Sequence, residues 1–114
     1  MTGEGRVKDA LKKYLTSIGL IPASQAPLVT QENTGWFFMP VSNGMSVSGI
    51  PDFIGQYKGR FFAVETKTEK KNPTALQTQQ IKAINLTGGA AFVMRGEYDL
   101  GEIEAWVSKI DREV

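Results

Sequence analysis

Between Glu4 and Ile18, Val7, Leu11, Tyr14, Leu15 and Ile18 recur at i, i+4, i+7, i+8 and i+11, with Lys8, Asp9, Lys12 and Lys13 turned largely away. That period predicts an amphipathic helix, with Thr2 as N-cap and Gly19 as stop. Glu4 lies on the same stripe one turn ahead of Val7, a placement that suits an acid at the positive end of a helix dipole. Residues 20–35 show neither helical nor strand period and hold Pro22, Pro27 and Asn33, so they predict a long loop. Trp36-Phe37-Phe38-Met39, ending at Pro40, suits a short strand, and the Ser, Asn and Gly of 42–49 suit a second flexible connection.

Phe53 to Tyr57 and Phe61 to Thr66 are β-rich runs around Lys58-Gly59, which predicts a hairpin. Both faces of the second run are apolar, as in a central strand. Pro73 and Thr74-x-x-Gln77 open a helix over 74–87 with a capping box, whose packed side is expected to be Leu76, Ile81, Ala83 and Ile84. Gly88-Gly89 ends it, and Ala90 to Met94 read as another strand. Strand, helix and strand then form a right-handed crossover unit with parallel strands. Leu100, Ile103, Val107 and Ile110 mark a final amphipathic helix. The expected class is α/β, a mixed sheet with a central hairpin flanked by helices, in one domain over residues 1–114.

Composition narrows the chemistry. The 114 residues include no Cys and no His, which excludes thiolate or imidazole metal sites and Ser-His or Cys-His nucleophiles. Carboxylates, Lys, hydroxyls, amides and a hard cation remain. The net charge of +1 hides an asymmetry: residues 1–96 carry 11 Lys+Arg against 6 Asp+Glu, and residues 97–114 carry 2 against 6. A basic body fits an anionic partner such as nucleic acid. No apolar run reaches membrane-spanning length and no signal peptide is visible, so no membrane contact and a cytoplasmic setting are expected.

A hairpin centred on Lys58-Gly59 pairs residues whose numbers add to 117, which sets Asp52 opposite Glu65. Facing Cβ atoms lie roughly 4.5–5.5 Å apart, and like charges there are destabilising. Lys67, two residues past Glu65, shares its face. Taken singly, Asp52 reads as a turn acid after Pro51, and Glu65 with Lys67 as a strand-end ion pair. Taken in register, they form a carboxylate pair that a divalent cation would relieve. Asp52 and Glu65 would be its ligands, with the Thr66 carbonyl and several waters. Mg²⁺ prefers such oxygen sites. With Lys67 orienting a water or steadying a leaving oxyanion, the set suits phosphodiester hydrolysis. Gln77 reads equally as a capping residue. Lys70 and Lys71 could touch phosphates, although a charge run is more often a solvated face. Trp36, Phe37 and Phe38 read as packing residues.

Gly49-Ile50-Pro51-Asp52, Ala63-Val64-Glu65-Thr66-Lys67, Pro73-Thr74-Ala75-Leu76-Gln77 and Gly88-Gly89 resemble the virus-type replication-repair nuclease (VRR-NUC) domain. This is a branch of the PD-(D/E)xK superfamily with a restriction-endonuclease-like core. The likeness also takes in Thr2-Gly3-Glu4-Gly5 and Met39-Pro40-Val41. It implies an Mg²⁺- or Mn²⁺-dependent endodeoxyribonuclease in which Asp52 and Glu65 bind metal and Glu4 approaches it from the first helix. Lys67 would assist catalysis, and Gln77 would belong to the site. Stand-alone phage-like members resemble Holliday-junction resolvases, which implies branched DNA, a homodimer and a bacterial host cell. The alternatives are a flap or nicking nuclease and a DNA-binding module without activity.

Overall fold

The computed structural model describes residues 2–41 and 45–113. The predicted connection at 42–49 therefore lies partly outside the described residues. Helix α1 (Gly3–Ser17) buries Val7, Leu11 and Leu15, and Thr2 caps it by accepting from the Gly5 N–H at 3.0 Å. Gly19, at φ +101°, turns the chain out of it.

The loop expected over 20–35 is the largest departure from the sequence reading. Leu20–Pro22 forms strand β1, Ala23–Leu28 winds into 3₁₀ turns, and Gly35–Phe38 forms β2. β1 pairs parallel with β2, Leu20 beside Gly35 and Pro22 beside Phe37. Three residues are too few for alternation to register, so only the pairing reveals this strand.

Strands β3 (Phe53–Tyr57) and β4 (Arg60–Lys67) form the predicted hairpin in the predicted register, Tyr57 with Arg60 and Ile54 with Ala63. Lys58 at φ +48° and Gly59 at φ +82° supply the left-handed pair that a two-residue type I′ turn asks for. Helix α2 (Ala75–Leu86) leads to β5 (Ala90–Arg95), which pairs parallel with β4, and α3 (Gly101–Glu113) closes the described chain. The sheet is mixed, in the order β1-β2-β3-β4-β5.

The core lies on one sheet face, where α1 and α3 cover Phe37, Phe53, Phe62, Val64 and Met94. Trp106 of α3 belongs to it, with its ring 5.7 Å from Phe62 and 5.9 Å from Phe92. The acidic tail is tied to the hairpin tip: Asp111 accepts from Tyr57 at 2.7 Å and Lys58 at 2.8 Å, and Glu113 from Arg60 at 2.8 Å. Part of the charge asymmetry is therefore spent inside the fold.

The opposite face is covered less completely. No residue of α2 is buried, and Leu76 is 52% exposed while Ile81 and Ile84 are half-buried. The expected packed side of α2 is thus reduced to the two isoleucines, because the helix packs chiefly on β4 and β5 at the edge of the sheet. Beyond it, Trp36, Gln56 and Phe61 form one cross-strand row, with Trp36 37% and Phe61 45% exposed. The sheet edges are partly blocked. Asn85 bonds both the N–H and the carbonyl of Ala91, Asp99 accepts from the Arg95 N–H, and β1 ends in Pro22. Such devices keep an edge strand from pairing with another chain.

A candidate metal centre at the end of the hairpin

The polypeptide enters β3 through Gly49-Ile50-Pro51-Asp52. Gly49 has φ +84°, and a Cβ there would stand 2.5 Å from the Leu76 carbonyl group, so only glycine lets this segment lie against the start of α2. Pro51 is buried behind it. Asp52 then meets Glu65 as the register requires: its backbone N–H donates to Glu65 Oε1 at 3.2 Å. Thr66 fixes the aspartate side chain, donating to Asp52 Oδ2 from its amide at 3.1 Å and from its hydroxyl at 2.6 Å.

Glu65 is 1% exposed and Thr66 fully buried, an uncommon position for an acid without a cationic partner. Lys67, with its side chain 12% exposed, supplies that partner, Nζ lying 3.5 Å from Glu65 Oε2. Glu4 comes from the first turn of α1. One carboxylate oxygen from each of Glu4, Asp52 and Glu65 lies within 4.8 Å of the others. Three elements thus converge on one cluster of hard oxygen donors, which fits a divalent cation of the Mg²⁺ class.

Burial pushes the Glu65 carboxyl up to about 7, and the charge of Asp52 adds to it, while Lys67 and the Asp52 N–H act in the opposite direction. Since the folded value lies above the ordinary 4.5, the metal-free fold holds this proton more tightly than the unfolded chain does. The associated stability is complete below about pH 4.5 and is lost as pH rises to about 7, roughly 3 kcal/mol in all. Thermal unfolding in chelator should therefore show wild type losing stability relative to Glu65→Gln between pH 5 and 8. Parallel profiles for the two chains would contradict the buried charge.

Lys8 is a member that the sequence reading turned away from the site. Its Nζ lies 4.0 Å from Asp52 Oδ1, one helical turn beyond Glu4. The i, i+4 spacing from Glu4 was the available signal. Thr66 contributes its amide and hydroxyl as anchors for Asp52, a role absent from the sequence reading, which assigned it only a carbonyl.

Gln77 closes the capping box, with Oε1 accepting from the Thr74 N–H at 2.9 Å and its own N–H donating to Thr74 Oγ1 at 3.2 Å. Lys70 and Lys71 are exposed in the turn after β4. That turn flanks the start of α1, where a Cβ on Gly3 would lie 3.1 Å from Thr68.

No protein-family model and no curated protein matches the sequence. Among solved structures, one described as a VRR_NUC domain superposes with a TM-score of 0.68 at 20% identity, covering 92% of this chain and 97% of that one. The chain has the fold of that domain, the α/β core with a mixed sheet expected from the motifs.

Proposed function

We propose that this protein is a metal-dependent DNA endonuclease, and the observation that carries the reading is the convergence of Glu4, Asp52 and Glu65 beside Lys67. The fold likeness to a VRR_NUC domain supports it. Glu4, Asp52, Glu65 and the Thr66 carbonyl would hold Mg²⁺ or Mn²⁺. Such an ion activates water and neutralises charge developing on a phosphate.

The remaining work falls to the chain. Thr66 pins Asp52, so that one carboxylate oxygen is committed and the other is left for a ligand. Lys67 keeps a cation at the rim of the buried pocket, placed to donate to an attacking water or to the leaving oxygen. Gln77 has spent its carbonyl on the cap but keeps its amide N–H groups, which suits a contact with substrate. Lys70 and Lys71 would meet flanking phosphates.

The finer reading is a Holliday-junction resolvase acting as a homodimer in a bacterial cytoplasm. Two cuts related by symmetry need two sites, and a C2 dimer supplies them. The outer edge of β5 is partly occupied and β1 is only three residues long, so the Trp36–Phe61 row offers a second copy a broader surface than either edge. Trp106 is committed to the core. Mixing wild-type chains with excess Glu65→Gln chains should then leave four-way junctions nicked on one strand and unresolved. A DNA-bound monomer that cuts flaps but not junctions would replace the resolvase by a flap nuclease.

The decisive assay for the broader reading incubates the protein with labelled linear, flap, splayed and four-way DNA in Mg²⁺, in Mn²⁺ and in chelator. Cleavage that needs metal supports it. Binding without cleavage of any substrate would point instead to a DNA-binding module.

A further inference from the structure

Among the described residues, Lys8 and Lys67 are the two lysines that are not exposed, and each is paired with a carboxylate of the candidate metal centre, Lys67 with Glu65 and Lys8 with Asp52. Lys12 and Lys13 of the same helix are exposed, and Lys13 pairs with Asp9 along the helix. The side chain of Lys8 is 34% exposed against 83% for Lys13, as expected of a stem laid along the protein with its head kept in water. One turn ahead of it, Glu4 belongs to the carboxylate cluster, so a single stretch of α1 brings both an acid and a cation to the end of the hairpin.

The oxygen that Lys8 faces is the one left open to a ligand. Thr66 takes Asp52 Oδ2 with two bonds, at 3.1 and 2.6 Å, and Lys8 Nζ stands 4.0 Å from Oδ1. The ammonium and a divalent cation would therefore draw on the same atom. A cation about 2.1 Å from Oδ1 would stand within about 6 Å of Nζ, where a double and a single positive charge repel one another. The ion pair is long, so little holds Lys8 in place against such an ion. Charge then points to where the ammonium goes. Three carboxylates against two ammonium groups leave the ionised, metal-free cluster with one negative charge, and a divalent cation turns that into one positive charge. A single backbone phosphate cancels it.

We infer that Lys8 couples metal binding to DNA binding: it attends Asp52 Oδ1 while the cation is absent, and when the cation takes that oxygen it turns to a phosphate of the bound strand. The inference rests on the nuclease reading for its choice of anion. A fixed ion pair would hold Asp52 in both states, and a fixed phosphate contact would serve DNA equally with and without metal. Exchange between the two has a different signature, in which Lys8 opposes the ion in the free protein and strengthens DNA binding when the ion is present.

The test compares wild type with Lys8→Met, which keeps the stem and removes the charge, and Lys8→Arg, which keeps the charge. Lys12→Met makes the same charge change one turn further along the helix. Mn²⁺ is first titrated calorimetrically into each chain without DNA at pH 8.5. Lys8→Met should bind it about tenfold more tightly than wild type does, and Lys8→Arg and Lys12→Met should bind it as wild type does. Affinity for a labelled four-way junction is then measured in chelator and in Ca²⁺, a hard cation that takes the same oxygen donors, with strand integrity checked afterwards. Wild type and Lys8→Arg should gain about tenfold more from Ca²⁺ than Lys8→Met does, and the three should lie close together in chelator. A Lys8→Met chain that binds Mn²⁺ no more tightly than wild type would overturn the inference. So would a loss of DNA affinity that is equal in chelator and in Ca²⁺, which marks a fixed phosphate contact, or a wild type that binds no Mn²⁺ at all. Cleavage by wild type in Mg²⁺ is read separately: if no substrate is cut, the nuclease reading fails while the two affinity measurements still decide the role of Lys8.

Discussion

Glu65→Gln is expected to lower DNA cleavage by at least about a thousandfold and, in chelator at pH 8, to raise the unfolding midpoint by about 5–10 °C. Both effects have one source. The carboxylate of Glu65 is almost wholly removed from water, faces the charge of Asp52, and has its proton affinity raised to about 7, so an ionised Glu65 destabilises the metal-free fold. The neutral amide removes that cost and with it the anionic oxygen that a cation would bind. Asp52→Asn should lose cleavage as fully but gain less stability. Its carbonyl oxygen can still accept both bonds from Thr66, and the contact it surrenders to Lys8 is a long one of 4.0 Å, of the kind that contributes little. Cleavage and midpoint measured on the same preparations check this. A lower midpoint for Glu65→Gln in chelator would contradict the strain assigned to the pair.

Lys67→Ala is expected to reduce turnover by about a hundredfold or more while leaving metal affinity at pH 8.5 nearly unchanged. The ammonium cannot ligate a cation, so its part lies with the water or the leaving group. The pH matters because Lys67 lowers the proton affinity of Glu65, and without it Glu65 would hold its proton to higher pH and compete with metal near neutrality. That competition weakens as pH rises, so the comparison is made on the alkaline side. Calorimetry showing metal binding lost while turnover survives would reverse the assignment.

How far these expectations were legible from residues alone follows from the range of each signal. The facing of Asp52 and Glu65 was readable because a two-residue turn at Lys58-Gly59 sets the register of everything beyond it. The capping box at Thr74 and Gln77 was readable because it is local. Strand β1 was hidden, since Leu20–Pro22 is defined by its pairing with Gly35–Phe37 and not by any pattern of its own. The exposure of α2 was hidden too: Leu76 and Ala83 look like core residues until the sheet beneath is seen to reach only the two isoleucines. Within the site, the two bonds from Thr66 to Asp52 and the approach of Lys8 depend on how α1 is laid across the end of the hairpin, a tertiary fact. Trp106 likewise cannot be assigned to core or surface from its place on an amphipathic helix, and the fold settles it against the rings of Tyr57, Phe62 and Phe92.

Whether Glu4, Asp52 and Glu65 together hold a divalent cation is decided by calorimetric titration of Mn²⁺ into the metal-free protein at pH 8.5, alongside Glu4→Gln, Asp52→Asn and Glu65→Gln. Wild type should bind saturably, Glu4→Gln more weakly, and Asp52→Asn and Glu65→Gln not at all, while all four chains remain folded. Binding to Glu65→Gln as tight as to wild type would contradict it.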